Sequence, residues 1–307
     1  MRHKLGVVIV TYNSEKYIDQ CLNSIKKEKN LNANIVVVDN NSSDNTLNLL
    51  KSHNDVSLIK NKENVGYAKA VNQGLENFNE GFTFIINPDV EFLKDSMNIM
   101  YKKISMSNDI GVMGGQQIFP SGKWQRSYGN QIGIIDSLFN LFFITSALNF
   151  FNKLIFKINK DFLFQKSVGY VDGGALIVRN ESFHGVGGFD ERFFFYCEEV
   201  DFCLKLKNAG WKTIYDPRAI VMHIRGGSST KIDEKKYYFL NLLIKSKKIF
   251  LKKNKPQLIF NLCKYIEFIH NLKMAYAHRI LGLFLVKNTS HDEKYNFFMV
   301  AAKTWIK

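Results

Sequence analysis

The sequence predicts an α/β protein with a mostly parallel sheet and flanking helices, followed by a basic helical C-terminal region. Three observations predict it. From Leu5 to Asp89, short β-branched runs alternate with stretches of helical period. Three of those runs end in polar clusters, Thr11–Ser14, Asp39–Asp44 and Asn87–Asp89. Beyond Asp233, Lys recurs among Phe, Leu and Ile. Alternating strands and helices favour parallel pairing, because each crossover helix returns the chain to the same end of the sheet.

Leu5–Val10 reads as a buried strand, and Thr11–Ser14 as a turn whose Asn13 or Ser14 can cap a helix to about Lys27. Tyr17, Ile18, Cys21, Leu22 and Ile25 share one face of that helix. Ile35–Val38 is a second strand, a helix follows from about Asn45 to Lys51, and Val56–Ile59 is a third strand. Val65-Gly66-Tyr67 opens a helix carrying Ala68, Val71 and Leu75, and Phe82–Ile86 is a fourth strand. Ile132–Ile158 is dense in Phe, Leu and Ile and reads as helical. Val168–Val178 reads as a strand-like stretch with Gly173-Gly174 inside it, and Phe189–Asp201 as an aromatic-acidic block. A helix then runs to about Ala209, stopped by Gly210. Ile214-Tyr215 and Ala219–Met222 read as two short strands before His223, and Asp233–Lys307 as helices. The expected organisation is a catalytic-type domain over 1–230, with an apolar helical insertion at about 132–160, and a basic helical region over 231–307.

Composition narrows the function classes. The chain has 307 residues, 46% of them apolar, enough for a sizeable core. Its four cysteines are scattered without zinc spacing and read as packed, reduced thiols. The apolar run near the N-terminus is too short for a signal peptide, and no stretch is long enough for a spanning helix. The net charge is +14, and from Lys231 to Lys307 there are 16 Lys/Arg against 5 Asp/Glu. That surplus suits an anionic membrane surface, nucleic acid or a solvated face.

In α/β sheets ligands bind outside the carboxyl ends of the strands, so the three polar clusters should converge on one crevice. Asp39 can accept hydrogen bonds from a base or ribose there, or cap a helix. Asn87-Pro88-Asp89 can present a metal-binding carboxylate, or merely turn the chain. Glu198, Glu199 and Asp201 fall within four residues beside aromatics, so mutual repulsion and desolvation should raise at least one pKa. That suits a general base; helix N-terminal carboxylates are the alternative. His223, at a strand end, is a candidate metal ligand or a structural imidazole. Arg225 and Lys231, on the following Gly/Ser loop, can meet phosphate oxygens.

Taken together, seven segments in order resemble the family 2 inverting glycosyltransferases of GT-A fold, especially the bacterial rhamnosyltransferase-like branch. They are VVIVTYNSEKYI, VVVDNNSSDNT, NVGYAKAVNQG, FIINPDV, VDGGALIVR, GGFDERFFFYCEEVDFCLKLKNAGW and the His223 loop. The resemblance implies that Thr11, Asn13 and Asp39 form the nucleotide pocket, with Gly66 and Lys69 lining the donor. It makes Asn87-Pro88-Asp89 the counterpart of an Asp-x-Asp metal motif, with Asp89 as ligand; Asn87, where an Asp is often found, supplies no charge. Glu198-Glu199 corresponds to a Glu-Asp pair carrying the base, Glu199 being the choice, and His223 to a late metal-ligating His. The implied cofactor is Mg2+ or Mn2+. The implied donor is a nucleotide-sugar, dTDP-rhamnose-like or a UDP-hexose. The implied acceptor is a glycan, often lipid-linked, in bacterial surface polysaccharide synthesis. The basic tail and the apolar insertion fit a peripheral enzyme on the inner face of the plasma membrane; a helical appendage packing on the domain, or on a second copy as a homodimer, is the alternative.

Rival classes fare worse. A nucleic-acid binder needs a basic groove, whereas Asp39, Asp89, Glu198 and Glu199 make this crevice acidic. A nucleotidyltransferase needs a Gly-rich phosphate loop after the first strand, and Thr11–Ser14 is not one. A non-catalytic nucleotide-sugar-binding subunit would have no need of carboxylates at each expected position.

Overall fold

The computed structural model describes residues 5–28, 31–93, 95–158, 164–224, 232–284 and 289–307. Arg225 and Lys231, expected near phosphate, lie outside the described residues. The expected alternation opens the chain: β1 (Leu5–Thr11), α1 (Ile18–Lys26), β2 (Ala33–Asp39), α2 (Thr46–Leu50), β3 (Val56–Lys60), α3 (Tyr67–Leu75) and β4 (Phe82–Ile86). Next come β5 (Val90–Leu93), α4 (Ser96–Ser105), β6 (Ile110–Ile118), β7 (Tyr128–Gly129), α5 (Ile134–Leu141) and α6 (Ile144–Ile158). Then follow β8 (Lys166–Ser167), β9 (Tyr170–Val171), β10 (Ala175–Arg179), α7 (Asn180–Gly185), α8 (Glu198–Asn208) and β11 (Lys212–His223). Three long helices close the chain, α9 (Ile232–Asn254), α10 (Gln257–Phe284) and α11 (Thr289–Ile306).

The chain divides into two compact units. One comprises Met1–Gln131, Asn152–Phe194 and Glu198–Ser228; the other Ile132–Phe151, Phe195–Cys197 and Ser229–Lys307. The first holds a nine-stranded sheet in the order β3-β2-β1-β4-β10-β6-β11-β5, with β8 on β11. β3, β2, β1 and β4 are all parallel; β10, β5 and β8 run against their neighbours, so the sheet is mixed. Side chains alternate across it. Val7, Ile9, Ile35, Val37, Phe82 and Phe84 share a core cluster with Ile18, Cys21 and Leu22 of α1 and Met97 and Met100 of α4. On the opposite face Gly74 of α3 lies against Val8 and Val38. Helices thus cover both faces, which is why these strands read as unbroken apolar runs.

Two stretches differ from the sequence reading. Val168–Val178 is not one strand: Asp172-Gly173-Gly174 separates β9 from β10. Ile214-Tyr215 and Ala219–Met222 are not two strands but one, β11, whose register shifts between Asp216 and Ile220. Pro217 lacks an N–H, and the strand absorbs it as a bulge. Arg218 closes the bulge by donating through Nε to Asp216 at 2.9 Å.

The second unit is helical. Trp305, Phe250, Leu251, Cys263 and Ala275 are buried in it. Ser137 of α5 donates to Glu267 of α10 at 3.3 Å, and Lys248 of α9 to the Thr304 carbonyl of α11 at 2.8 Å. Among the described residues, no single helix is long and apolar enough to cross a membrane. α5 and α6 reach that length and apolarity only as a pair, bent by 79°. All four cysteines are buried.

Candidate active site at one edge of the sheet

Strand direction brings the expected residues together. β1, β2 and β4 are parallel, so Thr11, Asp39 and Asn87 all leave the sheet at one edge. β10 runs against β4, so Gly173 and Gly174, just before it, lie at that edge too. β6 is antiparallel to β10 and parallel to β11, which carries His223 to the same edge. β5 runs against β11 with Val90 paired to His223, and this sets Asp89 beside that histidine.

At the β1–β2 end, Asp39 is 1% exposed yet fully hydrogen-bonded. Its Oδ1 accepts from Thr11 Oγ1 at 2.9 Å and from Ser42 Oγ at 2.5 Å, and its Oδ2 from the Ser42 N–H at 2.9 Å. Asn13 sits at φ 53°, a left-handed conformation that Asn tolerates. Its N–H donates to Ser42 Oγ at 2.9 Å, and its Oδ1 accepts from the Ser43 N–H at 2.8 Å. Thr11, Asn13 and Asp39 therefore form one constructed loop platform. Asp44 makes a local Asx-turn, accepting from the Thr46 N–H at 3.0 Å. Asn40 Nδ2 ties the platform to the start of α3 by donating to the Gly66 carbonyl at 3.2 Å. Gly66 has φ 89°, and a Cβ there would lie 2.9 Å from Phe194. Only glycine fits both demands. Lys69 is exposed on α3.

The second centre is a buried pair. Asp89 and His223 are 8% and 5% exposed, with Asp89 Oδ1 at 3.3 Å from His223 Nε2. His223 Nδ1 lies 2.8 Å from Gln117 Oε1, and Gln117 Nε2 donates to Asp172 Oδ1 at 3.1 Å. Asn87 joins through its backbone, donating to the Gly174 carbonyl at 2.8 Å. One carboxylate and one imidazole, held by neighbours and facing each other, suit a divalent cation that takes its remaining ligands from a bound diphosphate. Among the described residues, no three His, Cys, Asp or Glu groups form a metal-holding cluster. The fit is therefore to a shared site, not a closed protein cage.

The third centre is the start of α8. Tyr196 and Cys197 both have left-handed backbones, φ 73° and 67°, costs of about 1–3 kcal/mol each that deliver the chain into the helix. Glu198 and Glu199 then occupy its first turn. Glu198 is 4% exposed, its Oε2 accepts no hydrogen bond, and burial, then Glu199 and Asp172, hold its pKa well above the carboxylate range. Glu199 is half-buried alongside Gly173. Tyr67 gathers the centres. Its hydroxyl donates to the Gly173 carbonyl at 3.2 Å. Burial raises its pKa, and so do Glu198, Glu199, Asp172 and Asp89, all close enough to act on one phenol.

Tyr67, Gln117 and Asp172 were not singled out from the sequence. Tyr67 and Asp172 lie inside the segments NVGYAKAVNQG and VDGGALIVR, so their neighbourhood was marked though their roles were not. Gln117 carries no local signal: a polar residue in a strand shows its partners only once the strand order is known.

The chain belongs to glycosyl transferase family 2, which its residues 6–184 match. Its fold is that of the GT-A glycosyltransferases, and sugar transfer in glycan synthesis is the activity that goes with membership. It is similar to the N-acetylglucosaminyl-diphospho-decaprenol L-rhamnosyltransferase of Mycobacterium tuberculosis (strain H37Rv), with 26% identity over 249 residues, covering 75% of this chain and 78% of that one. In fold it is similar to the mannosyltransferase PcManGT from Pyrobaculum calidifontis in complex with GDP-Man and Mn2+, with a TM-score of 0.62 and 16% identity, covering 100% of this chain and 88% of that one. GalNAc-T7 with UDP, GalNAc and Mn2+ gives a TM-score of 0.59 at 14% identity, covering 97% of this chain and 56% of that one.

Proposed function

We propose that this protein is an inverting, divalent-metal-dependent glycosyltransferase that moves a sugar from a nucleotide-sugar to an acceptor hydroxyl. The observation that carries the reading is the meeting of two acidic centres, Asp89 with His223 and Glu198 with Glu199, around Tyr67 at one sheet edge. Thr11, Asn13 and Asp39 hold the nucleotide, with Gly66 and Lys69 beside the donor. Asp89 and His223 hold the Mg2+ or Mn2+. When bound, that ion neutralises charge developing on the diphosphate leaving group. Asn87 contributes its backbone.

Glu199 is the general base. Burial favours the protonated form of Glu198, which leaves Glu199 as the member of the pair to take up a proton. Glu198 is the buried member, so Glu199 receives the acceptor's proton as its oxygen attacks the anomeric carbon opposite the nucleotide. The bond to the diphosphate breaks in the same displacement, and configuration inverts. Glu198 supports the pair as its neutral neighbour.

The rhamnosyltransferase relative, named for a decaprenol-linked substrate, supports a rhamnose-type donor and a lipid-linked acceptor; a UDP-hexose fits the same platform. A thermal-shift panel of nucleotide-sugars with and without Mn2+, followed by a transfer assay with the hit, tests the reading. We expect Glu199→Gln to lower kcat by about 10²–10⁴-fold, and Asp89→Ala to abolish metal-dependent transfer. Wild-type rates in both variants would overturn the assignment, and a donor bound but never hydrolysed or transferred would favour a non-catalytic binding subunit.

Exposed apolar side chains favour a peripheral membrane location as a second reading. Ile135, Phe142, Phe150 and Phe151 of α5–α6, and Leu258 and Ile269 of α10, are each more than half exposed. With the lysine surplus nearby they suit an anionic bilayer surface. Flotation with anionic and neutral vesicles at low and high salt decides it; absence of binding in every condition rejects it.

A further inference from the structure

We propose that Gln117 is a positioning residue: its amide, locked by Asp172, holds His223 in the tautomer with the proton on Nδ1 and the Nε2 lone pair turned toward Asp89. Gln117 lies on β6 and is 1% exposed. Its Nε2 donates to Asp172 Oδ1 at 3.1 Å, and its Oε1 lies 2.8 Å from His223 Nδ1. A side-chain amide has one donor end and one acceptor end, and Asp172 Oδ1, which also takes the Gly174 N–H, is an acceptor. The NH2 end must therefore face Asp172, because a flipped amide would set its oxygen against the carboxylate. The oxygen is left for His223, and an acceptor opposite Nδ1 requires Nδ1–H. In the neutral ring the lone pair then falls on Nε2, 3.3 Å from Asp89 Oδ1. Two electron-rich atoms face each other across that gap, as two ligands of one cation do.

The surroundings keep the relay in place. Asp172 Oδ1 also accepts from the Gly174 N–H at 3.2 Å, which fixes the far end. The imidazole rests on Gly174, where a Cβ would lie 2.7 Å from both its Cε1 and its Nδ1. Gln125 Nε2 donates to the His223 carbonyl and pins the backbone. Partners of this kind, one bond removed from the metal, commonly alter metal affinity when replaced.

The inference rests on the metal reading only for the second of two readouts. The first is ¹⁵N NMR of the full-length, metal-free protein across a pH series, read on the high-pH plateau of the ring shifts, with His223 identified by its loss in His223→Gln. We expect a protonated Nδ1 and a bare Nε2. Near-isosteric Gln117→Met should shift the ring toward a mixture of tautomers. The double variant Gln117→Glu/Asp172→Asn exchanges donor and acceptor between the two positions, keeps an acceptor at Nδ1, and should restore the wild-type spectrum. The second readout is Mn2+ affinity by electron paramagnetic resonance. It should fall about ten- to a hundredfold in Gln117→Met and recover in the double variant. A wild-type ring protonated at Nε2, or a Gln117→Met protein with unchanged spectrum and affinity, overturns the proposal. If the wild type binds no Mn2+, the metal reading falls, while the NMR comparison still decides the tautomer.

Discussion

Glu198 and Glu199 are adjacent in sequence, yet Glu198 is buried and Glu199 only partly so. Burial makes the charged form of Glu198 costly, and Glu199 and Asp172 add repulsion. The folded state therefore keeps the Glu198 proton to higher pH than the unfolded chain does. Stability from this group is complete below the ordinary glutamate pKa and is lost as pH rises toward the raised folded value. Glu198→Gln should remove that slope. In urea titrations from about pH 4.5 to about pH 8, its advantage over the wild type should grow with pH; equal pH dependence in the two proteins refutes the prediction. A second residue-scale test concerns Gly66, where positive φ and the 2.9 Å approach to Phe194 both exclude a side chain. Gly66→Ala should cost about 1–3 kcal/mol in chemical denaturation. Under the proposed function it should also weaken donor binding, because the Gly66 carbonyl accepts from Asn40, the neighbour of Asp39 in the loop platform.

Among the elements, α5 and α6 diverge most from an ordinary amphipathic pair. Phe143 breaks them at φ 60°, a conformation unfavourable for an aromatic residue. The break bends the pair by 79° and leaves Phe142 66% exposed beside it. Lys273 holds the turn by donating to the Leu141 carbonyl and standing 4.1 Å over the Phe143 ring. Replacing exposed apolar groups by charge leaves internal packing unchanged. Phe142→Asp/Phe150→Asp should therefore weaken binding to anionic vesicles at least tenfold, on the basis of about 1.5–3 kcal/mol per large apolar side chain withdrawn from water. Its melting temperature should stay near the wild-type value. Equal vesicle binding in the two proteins counts against α5–α6 as the contact.

For the whole molecule, anything that binds the native state and not the unfolded one stabilises it by mass action. In the proposed site Asp89 and His223 supply only part of a coordination shell, so Mn2+ together with the correct nucleotide-sugar should raise the melting temperature more than either alone. A ligand at a thousand times its Kd adds about 4 kcal/mol. Additive shifts, with no synergy, would show that metal and donor occupy separate sites. Cys203 serves as a control of chemical inertness: burial pushes its thiol up to about 12, and it should resist alkylation until the chain unfolds.

The sequence by itself determined the alternation of β1 through β4, the polar turns closing those strands, and the positions of Thr11, Asn13, Asp39, Asp89, Glu198, Glu199 and His223. These are local properties: β-branched runs, turn residues and carboxylates at strand ends declare themselves within a few residues. Only the tertiary structure decided that β10 enters against β4, that Pro217 bends one strand instead of ending it, and that Asp172 and Gln117 reach His223. Those outcomes depend on strand order, and residues 55 and 106 positions apart become hydrogen-bond partners only when non-consecutive strands pair. The pair Asp89 with His223 is the same case: each residue was visible alone, and the pairing of β5 with β11 made them one centre.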